Sequence, residues 1–213
     1  MAERTEANAQ AGGGAESSTA GNTAALTPAA PLGSLADDIA VSEVSGQALV
    51  AVVRQPPSTG DDEQPLRRAL EEAFGTSLPA VGDSAVTPRG ERLLGLQPDR
   101  LYVLFETDEA SDPEHALRER LGAEPYLSDQ SDAWVMLRIE GRAVRRALER
   151  VCPLDLHPEV FAVGAVARSV VEHLGVIVLR EAADTFLLLS PRSSARSFLD
   201  EIETSVRYVR ERT

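Results

Sequence analysis

Twice along this chain, short apolar runs rich in β-branched residues alternate with stretches of helical spacing, and this alternation restricts the fold more than any other feature. Ile39, Val41 and Val44 lead through Gly46 into the run 48–53, which reads as a hairpin of two strands. Leu66, Ala69, Leu70, Ala73 and Phe74 then recur at i, i+3, i+4, i+7 and i+8, and Gly75 closes that helix. Residues 76–90 carry turn signals without a period and read as a connection. Two strands are expected at 92–96 and 101–105, joined by a turn at Gln97-Pro98-Asp99-Arg100. Ser111-Asp112-Pro113-Glu114 has capping-box spacing with proline near the first turn, and opens a short helix expected to bury Ala116, Leu117 and Leu121.

The second half follows a similar order. Residues 126–131 read as a strand start or a loop, and 134–139 as a strand with Val135, Leu137 and Ile139 on one face. A helix is expected over 142–151, then strands at 165–171, 175–179 and 185–189. A long helix follows from about 193 to 210, its stripe formed by Ala195, Phe198, Leu199, Ile202, Val206 and Val209. The order ββαββα followed by βαβββα predicts an α+β protein built of two small antiparallel-sheet and helix layers. The divisions are an N-terminal α+β half at 35–124 and a C-terminal α+β half at 125–213. Residues 1–34 have almost no large apolar side chain to offset the entropy of ordering, and read as a disordered tail.

The stretch from Arg145 to Pro158 carries the most specific local chemistry. Val144, Ala147, Leu148 and Val151 form one face of the expected helix, and Pro153 stops it. In Leu154-Asp155-Leu156-His157 an extended backbone puts both leucines on one side and Asp155 with His157 on the other. Such a pair can act as an acid/base couple, or can brace the loop and meet a partner chain; structural pairs are the commoner case. Arg142, Arg146 and Arg150 fall at i, i+4 and i+8 opposite the apolar face, either as a solvated surface or as a contact for an acidic patch on a partner.

Composition removes several classes of function. A net charge of −13 argues against nucleic acid, which needs a basic face. All 21 basic residues are arginine, a signature of genome composition or of a salty habitat. Ten acidic residues against three arginines between Asp99 and Asp132 read as a solvated face. The single cysteine, Cys152, cannot form an internal disulfide, and with His115, His157 and His173 scattered no metal spacing arises. Cys152 beside Val151 and Leu154 reads as a buried, inert thiol. No run approaches the roughly 20 apolar residues of a membrane span, and the polar N-terminus is no signal peptide, so a cytoplasmic protein is expected. Rossmann, P-loop and nucleophile-elbow motifs are missing, which leaves no catalytic, cofactor-binding or metal residue to nominate.

Val135-Met136-Leu137-Arg138-Ile139-Glu140-Gly141, Ala147-Leu148, Cys152-Pro153-Leu154-Asp155-Leu156-His157-Pro158, Phe161 and Gly164, with the later Arg196-Ser197-Phe198, resemble the gamma subunit of heterotetrameric sarcosine oxidases. The likeness spans roughly residues 40 to 210. It departs at Leu96-Gln97-Pro98-Asp99-Arg100-Leu101-Tyr102, where the family pattern is Gly-Pro-Asp-Glu-Trp. The resemblance implies a fold related to the folate-binding T-protein of glycine cleavage. It also implies alpha, beta and delta partner subunits that carry FAD, FMN, NAD, tetrahydrofolate and zinc, with no cofactor in this chain. The role implied is an accessory one in the oxidative demethylation of sarcosine, with Asp155, His157, Arg142, Arg146 and Arg150 as candidate docking or bracing residues. The competing readings are a stand-alone folate-binding protein of the T-protein type and a subunit of a related N-methyl amine oxidase or dehydrogenase.

Overall fold

A computed structural model describes residues 39–53, 64–107, 112–122 and 125–211; the segment 1–34, read above as a tail, lies outside them. In chain order the elements are β1 (Ala40–Glu43), β2 (Gln47–Val53), α1 (Gln64–Phe74), β3 (Ser84–Val86), β4 (Arg92–Gln97), β5 (Arg100–Glu106), α2 (Pro113–Leu121), β6 (Tyr126–Asp129), β7 (Trp134–Glu140), α3 (Val144–Leu148), β8 (Val166–Val171), β9 (Leu174–Ala182), β10 (Thr185–Pro191) and α4 (Ala195–Arg210). The strands form two five-stranded antiparallel sheets, in the orders β3-β4-β5-β2-β6 and β1-β7-β10-β9-β8. The first is called here the N-terminal sheet and the second the C-terminal sheet.

Side-chain alternation along the strands gives each sheet two apolar faces, and this sets the layering. On the inner faces, Leu49, Leu94, Tyr102 and Leu104 of the N-terminal sheet pack against Met136, Ile177, Leu179, Leu187 and Leu189 of the C-terminal sheet. The outer face of the N-terminal sheet buries Val50, Val52, Leu93 and Val103 under Leu70 and Phe74 of α1 and Leu117 of α2. That of the C-terminal sheet buries Val135, Leu137, Ile139, Val178 and Leu188 under α3 and α4, with Phe198, Ile202 and Val206 supplied by α4. The α+β class and its two sheet-and-helix layers are thus present, stacked as four layers, helix, sheet, sheet and helix.

Four local expectations are corrected. The run from Ile39 to Val53 does make two strands, but not a hairpin: β1 pairs with β7 and β2 with β5 and β6, in different sheets. Residues 48–52 are all buried, so both faces of β2 are covered, and a central position satisfies this where an outer hairpin strand does not. The crossing is made at Gly46, whose φ of +69° suits glycine, and it is pinned by hydrogen bonds from Val44 N–H to the Met136 carbonyl and from Thr107 N–H to the Gly46 carbonyl, both 2.9 Å. Within the expected connection 76–90, β3 pairs with β4 over three residues, too few to show a period. Regular helix over 142–151 shrinks to α3: Arg142 and Ala143 precede it, and after Leu148 the chain turns with i to i−3 bonds from Arg150 to Ala147 and from Val151 to Leu148 beside an i to i−4 bond from Cys152 to Leu148. In α2, Ala116 is exposed and Pro113 buried instead, and the cap is Asp112, whose carboxylate accepts from the His115 N–H at 2.9 Å.

The two sheets also touch edge to edge. An isolated bridge joins Asp83 to Ala165, flanked by Ser84 N–H to the Gly164 carbonyl and Val166 N–H to the Gly82 carbonyl, each 2.8 Å. This seam ties the β3 edge to the start of β8 and closes one side of the sandwich.

Candidate functional site

Residues 152–164 leave α3 and run under the C-terminal sheet to the seam. Leu156 is fully buried and Cys152 only 5% exposed, its thiol 3.5 Å from the Ser169 hydroxyl. Asp155 and His157 point outward, as the alternation predicts. Their side chains are spent locally. An Asp155 carboxylate oxygen accepts from the backbone N–H of His157 at 2.9 Å, an Asx turn, while the imidazole Nδ1 accepts from the Glu159 N–H at 3.4 Å and lies 4.0 Å from its carboxylate. The His157 carbonyl in turn accepts from the N–H groups of Val160 and Phe161 at 2.9 and 2.8 Å.

A residue that the sequence reading passed over holds this loop to the sheet. Arg180 lies on β9, which continues to Ala182, three residues past the strand expected at 175–179. Its guanidinium is buried and donates to the carbonyls of Phe161 at 2.7 Å, Ala183 at 2.6 Å and Ala182 at 3.3 Å, with its carbon 5.5 Å from the centre of the Phe186 ring. A lone arginine directly after the apolar run 176–179 was the available signal. Burying a charge is costly, and the three carbonyl dipoles offset that cost here.

The three arginines at i, i+4 and i+8 are all exposed, but only Arg146 lies within α3; Arg142 precedes the helix and Arg150 follows it. Arg150 has folded over the ring of Tyr208 on α4, 4.7 Å from its centre. Arg145 pairs with Glu149 at 3.4 Å.

A second feature is a cleft of about 480 Å³ at the open edge between the sheets, whose lining includes Arg89, Glu91, Arg92, Arg120, Arg138 and Glu181. One ion pair stands on each wall. Arg120 of α2 grips Glu91 with two nitrogens, and Glu91 also accepts from the Thr87 hydroxyl at 3.0 Å. On the other wall Arg138 of β7 meets Glu181 of β9 at 2.7 and 3.2 Å. The hydrogen bond to Glu181 raises the Arg138 pKa, against a smaller opposing effect of burial. The partners lie 29 and 43 residues apart, which puts them beyond any local pattern in the sequence. Among the described residues no group of three His, Cys, Asp or Glu side chains could hold a metal ion, and no helix is long and apolar enough to cross a membrane.

The stacking of two antiparallel sheets between helices places the chain in the folate-binding fold of the T-protein. Aminomethyltransferase T of the glycine cleavage system from Bartonella henselae superposes with a TM-score of 0.58 at 16% identity, over 78% of this chain and 45% of that one, a likeness of fold alone. A chain of the heterotetrameric sarcosine oxidase from Corynebacterium sp. U-96, solved in complex with pyrrole 2-carboxylate, superposes with a TM-score of 0.68 at 26% identity, over 80% of this chain and 84% of that one. Sarcosine oxidase subunit gamma of Corynebacterium sp. (strain P-1) is 31% identical over 171 residues, 79% of this chain and 80% of its own length. The subunit gamma of an Arthrobacter species is 30% identical over 166 residues, 77% and 78% of the two chains. The model of the sarcosine oxidase, gamma subunit family matches residues 59–205, and the chain belongs to that family.

Proposed function

We propose that this chain is an accessory subunit that contributes architecture, not reactive groups, to a cytoplasmic sarcosine oxidase complex. The other subunits carry the FAD, FMN, NAD, tetrahydrofolate and zinc. The complex oxidises the N-methyl amine of sarcosine, passes the electrons to oxygen as hydrogen peroxide, and releases glycine with formaldehyde or methylenetetrahydrofolate. One observation carries the accessory role: the Asp155 carboxylate in the string Cys152–Pro158 is bonded to backbone, while the thiol beside it is buried. A general acid or base needs its proton within reach of substrate, and a nucleophile needs exposure as thiolate. In this reading Asp155 and His157 brace the loop, and Arg142, Arg146 and Arg150 meet a partner.

The test is assembly with the other three subunits, purified through a tag on the flavin-carrying one, with Asp155→Asn and His157→Gln. Both variants are expected to loosen the complex on size exclusion while the complex that forms keeps its rate of flavin reduction by sarcosine in stopped flow. Intact assembly with a reduction rate lowered a hundredfold overturns the accessory role and assigns the pair to acid/base chemistry.

A further inference from the structure

We infer that the outer surface shared by α3 and the C-terminal half of α4 docks an acidic segment of another subunit, with Arg146 and Arg150 supplying the charge and Tyr208 the apolar anchor. The inference rests on the subunit reading above and names the surface and the partner chemistry within it.

Three observations converge on this face. The first is charge: residues 142–151 hold four arginines and one glutamate in a chain with 34 acidic and 21 basic residues. The Arg145 pair with Glu149 uses up that glutamate, while Arg146 and Arg150 remain exposed. A local basic face on an acidic molecule selects a partner segment of opposite sign and suppresses contact with like-charged surfaces. The second is Tyr208, 49% exposed although large and apolar, with the Arg150 guanidinium 4.7 Å from its ring centre. Tyrosine and arginine are the types that dominate binding energy at interfaces. Contact with the ring steadies the arginine before a partner arrives, so docking costs less side-chain entropy. Beside the ring is a hollow of about 400 Å³, lined by Thr204, Arg207, Tyr208 and Glu211.

The third observation is rigidity. The Ser205 hydroxyl, buried between the helices, donates to the Ala147 carbonyl at 2.6 Å, and Ala147, Val206 and Val209 are buried with it. α3 and α4 are therefore locked together beneath the patch, and a contact spanning both finds a preformed surface. A second copy of this acidic chain has the same overall charge as the wanted partner, so the test separates the two.

The full chain is titrated onto an immobilised assembly of the other three subunits at 50 and 300 mM NaCl. Tyr208→Ala is expected to weaken binding tenfold or more, mainly through faster dissociation, while Tyr208→Phe stays within twofold of wild type. The double variant Arg146→Glu, Arg150→Glu is expected to slow association several-fold at 50 mM and to flatten the salt dependence. Matching melting temperatures of the isolated variants establish that a loss of binding reflects the surface and not unfolding. Wild type that binds while both disruptive variants match it overturns the surface and leaves the subunit reading standing. Wild type that does not bind the assembly overturns the subunit reading, and this inference with it. A stable dimer of the isolated wild-type chain that the double arginine variant breaks assigns the face to a second copy and overturns the partner named here.

Discussion

Glu43 and Arg180 are both charged residues at the edge of the same core, and their surroundings treat them differently. Arg180 has three carbonyls, whereas Glu43 keeps its Oε2 buried without a hydrogen-bond partner. Burial pushes the Glu43 carboxyl above its usual 4.5, and Arg192 pulls it back only in part. The unfolded chain gives up this proton first as pH rises past 4.5, so folding stability falls through that window and the loss persists at neutral pH. Glu43→Gln is therefore expected to raise the melting temperature at pH 7 by about 2 °C, with no gain below pH 4 where both states are protonated. Calorimetry across pH 3 to 8 checks the sign; a lower melting temperature at pH 7 would show that attraction to Arg192 outweighs burial. At this scale the sequence was partly legible. The buried thiol of Cys152 and the outward Asp155 and His157 follow from local alternation, because each side chain's direction is set by its immediate neighbours. Glu91 with Arg120, Arg138 with Glu181 and the hold of Arg180 on Phe161 depend on strands meeting across the fold, which no window of residues contains.

Among the elements, β4 shows how a single position decides whether a strand can lie where it does. A Cβ on Gly95 would overlap the carbonyl oxygen of Ala80 and sit 3.2 Å from that of Asp83. The close approach is what allows Gly95 N–H to reach the Asp83 carbonyl at 2.9 Å and Gly82 N–H to reach the Gly95 carbonyl at 2.8 Å. Those bonds seat the turn before β3, and with it the seam between the sheets. Gly95→Ala is expected to cost about 2–3 kcal/mol in a denaturant melt, because backbone must shift to clear the methyl group. A cost under about 0.5 kcal/mol would mean that the seam is loose. Strands β5, β7, β9 and β10 and helices α1 and α4 were legible because each has one or two strongly apolar faces over enough residues to show a period. β3 was hidden by its length. The partners of β1 were hidden for another reason, since alternation says which side is buried but not which strand lies beside it.

Across the whole molecule, the two sheets exchange strands across the division that the sequence led us to expect between residues 124 and 125. β1 belongs to the first half and pairs with β7, and β6 begins the second half and pairs with β2. Residues 35–124 and 125–213 made as separate chains are each expected to lack a cooperative thermal transition, because each would expose its inner sheet face, the first Leu49, Leu94 and Leu104 and the second Ile177, Leu187 and Leu189. Circular dichroism melts of the two pieces check this, and a sharp transition in either piece alone would show it to be self-sufficient. The pairing of β1 also has a consequence for how the protein is made. During synthesis β1 is the earliest of the described strands to emerge, yet its register partners, Glu140 for Ala40 and Leu137 for Glu43, leave the ribosome about a hundred residues later. All five strands of the N-terminal sheet lie within residues 47–129 and are available before β7 is complete. The nascent chain can therefore finish the N-terminal sheet while β1, the earliest of the described strands, still waits for β7 to begin the second one.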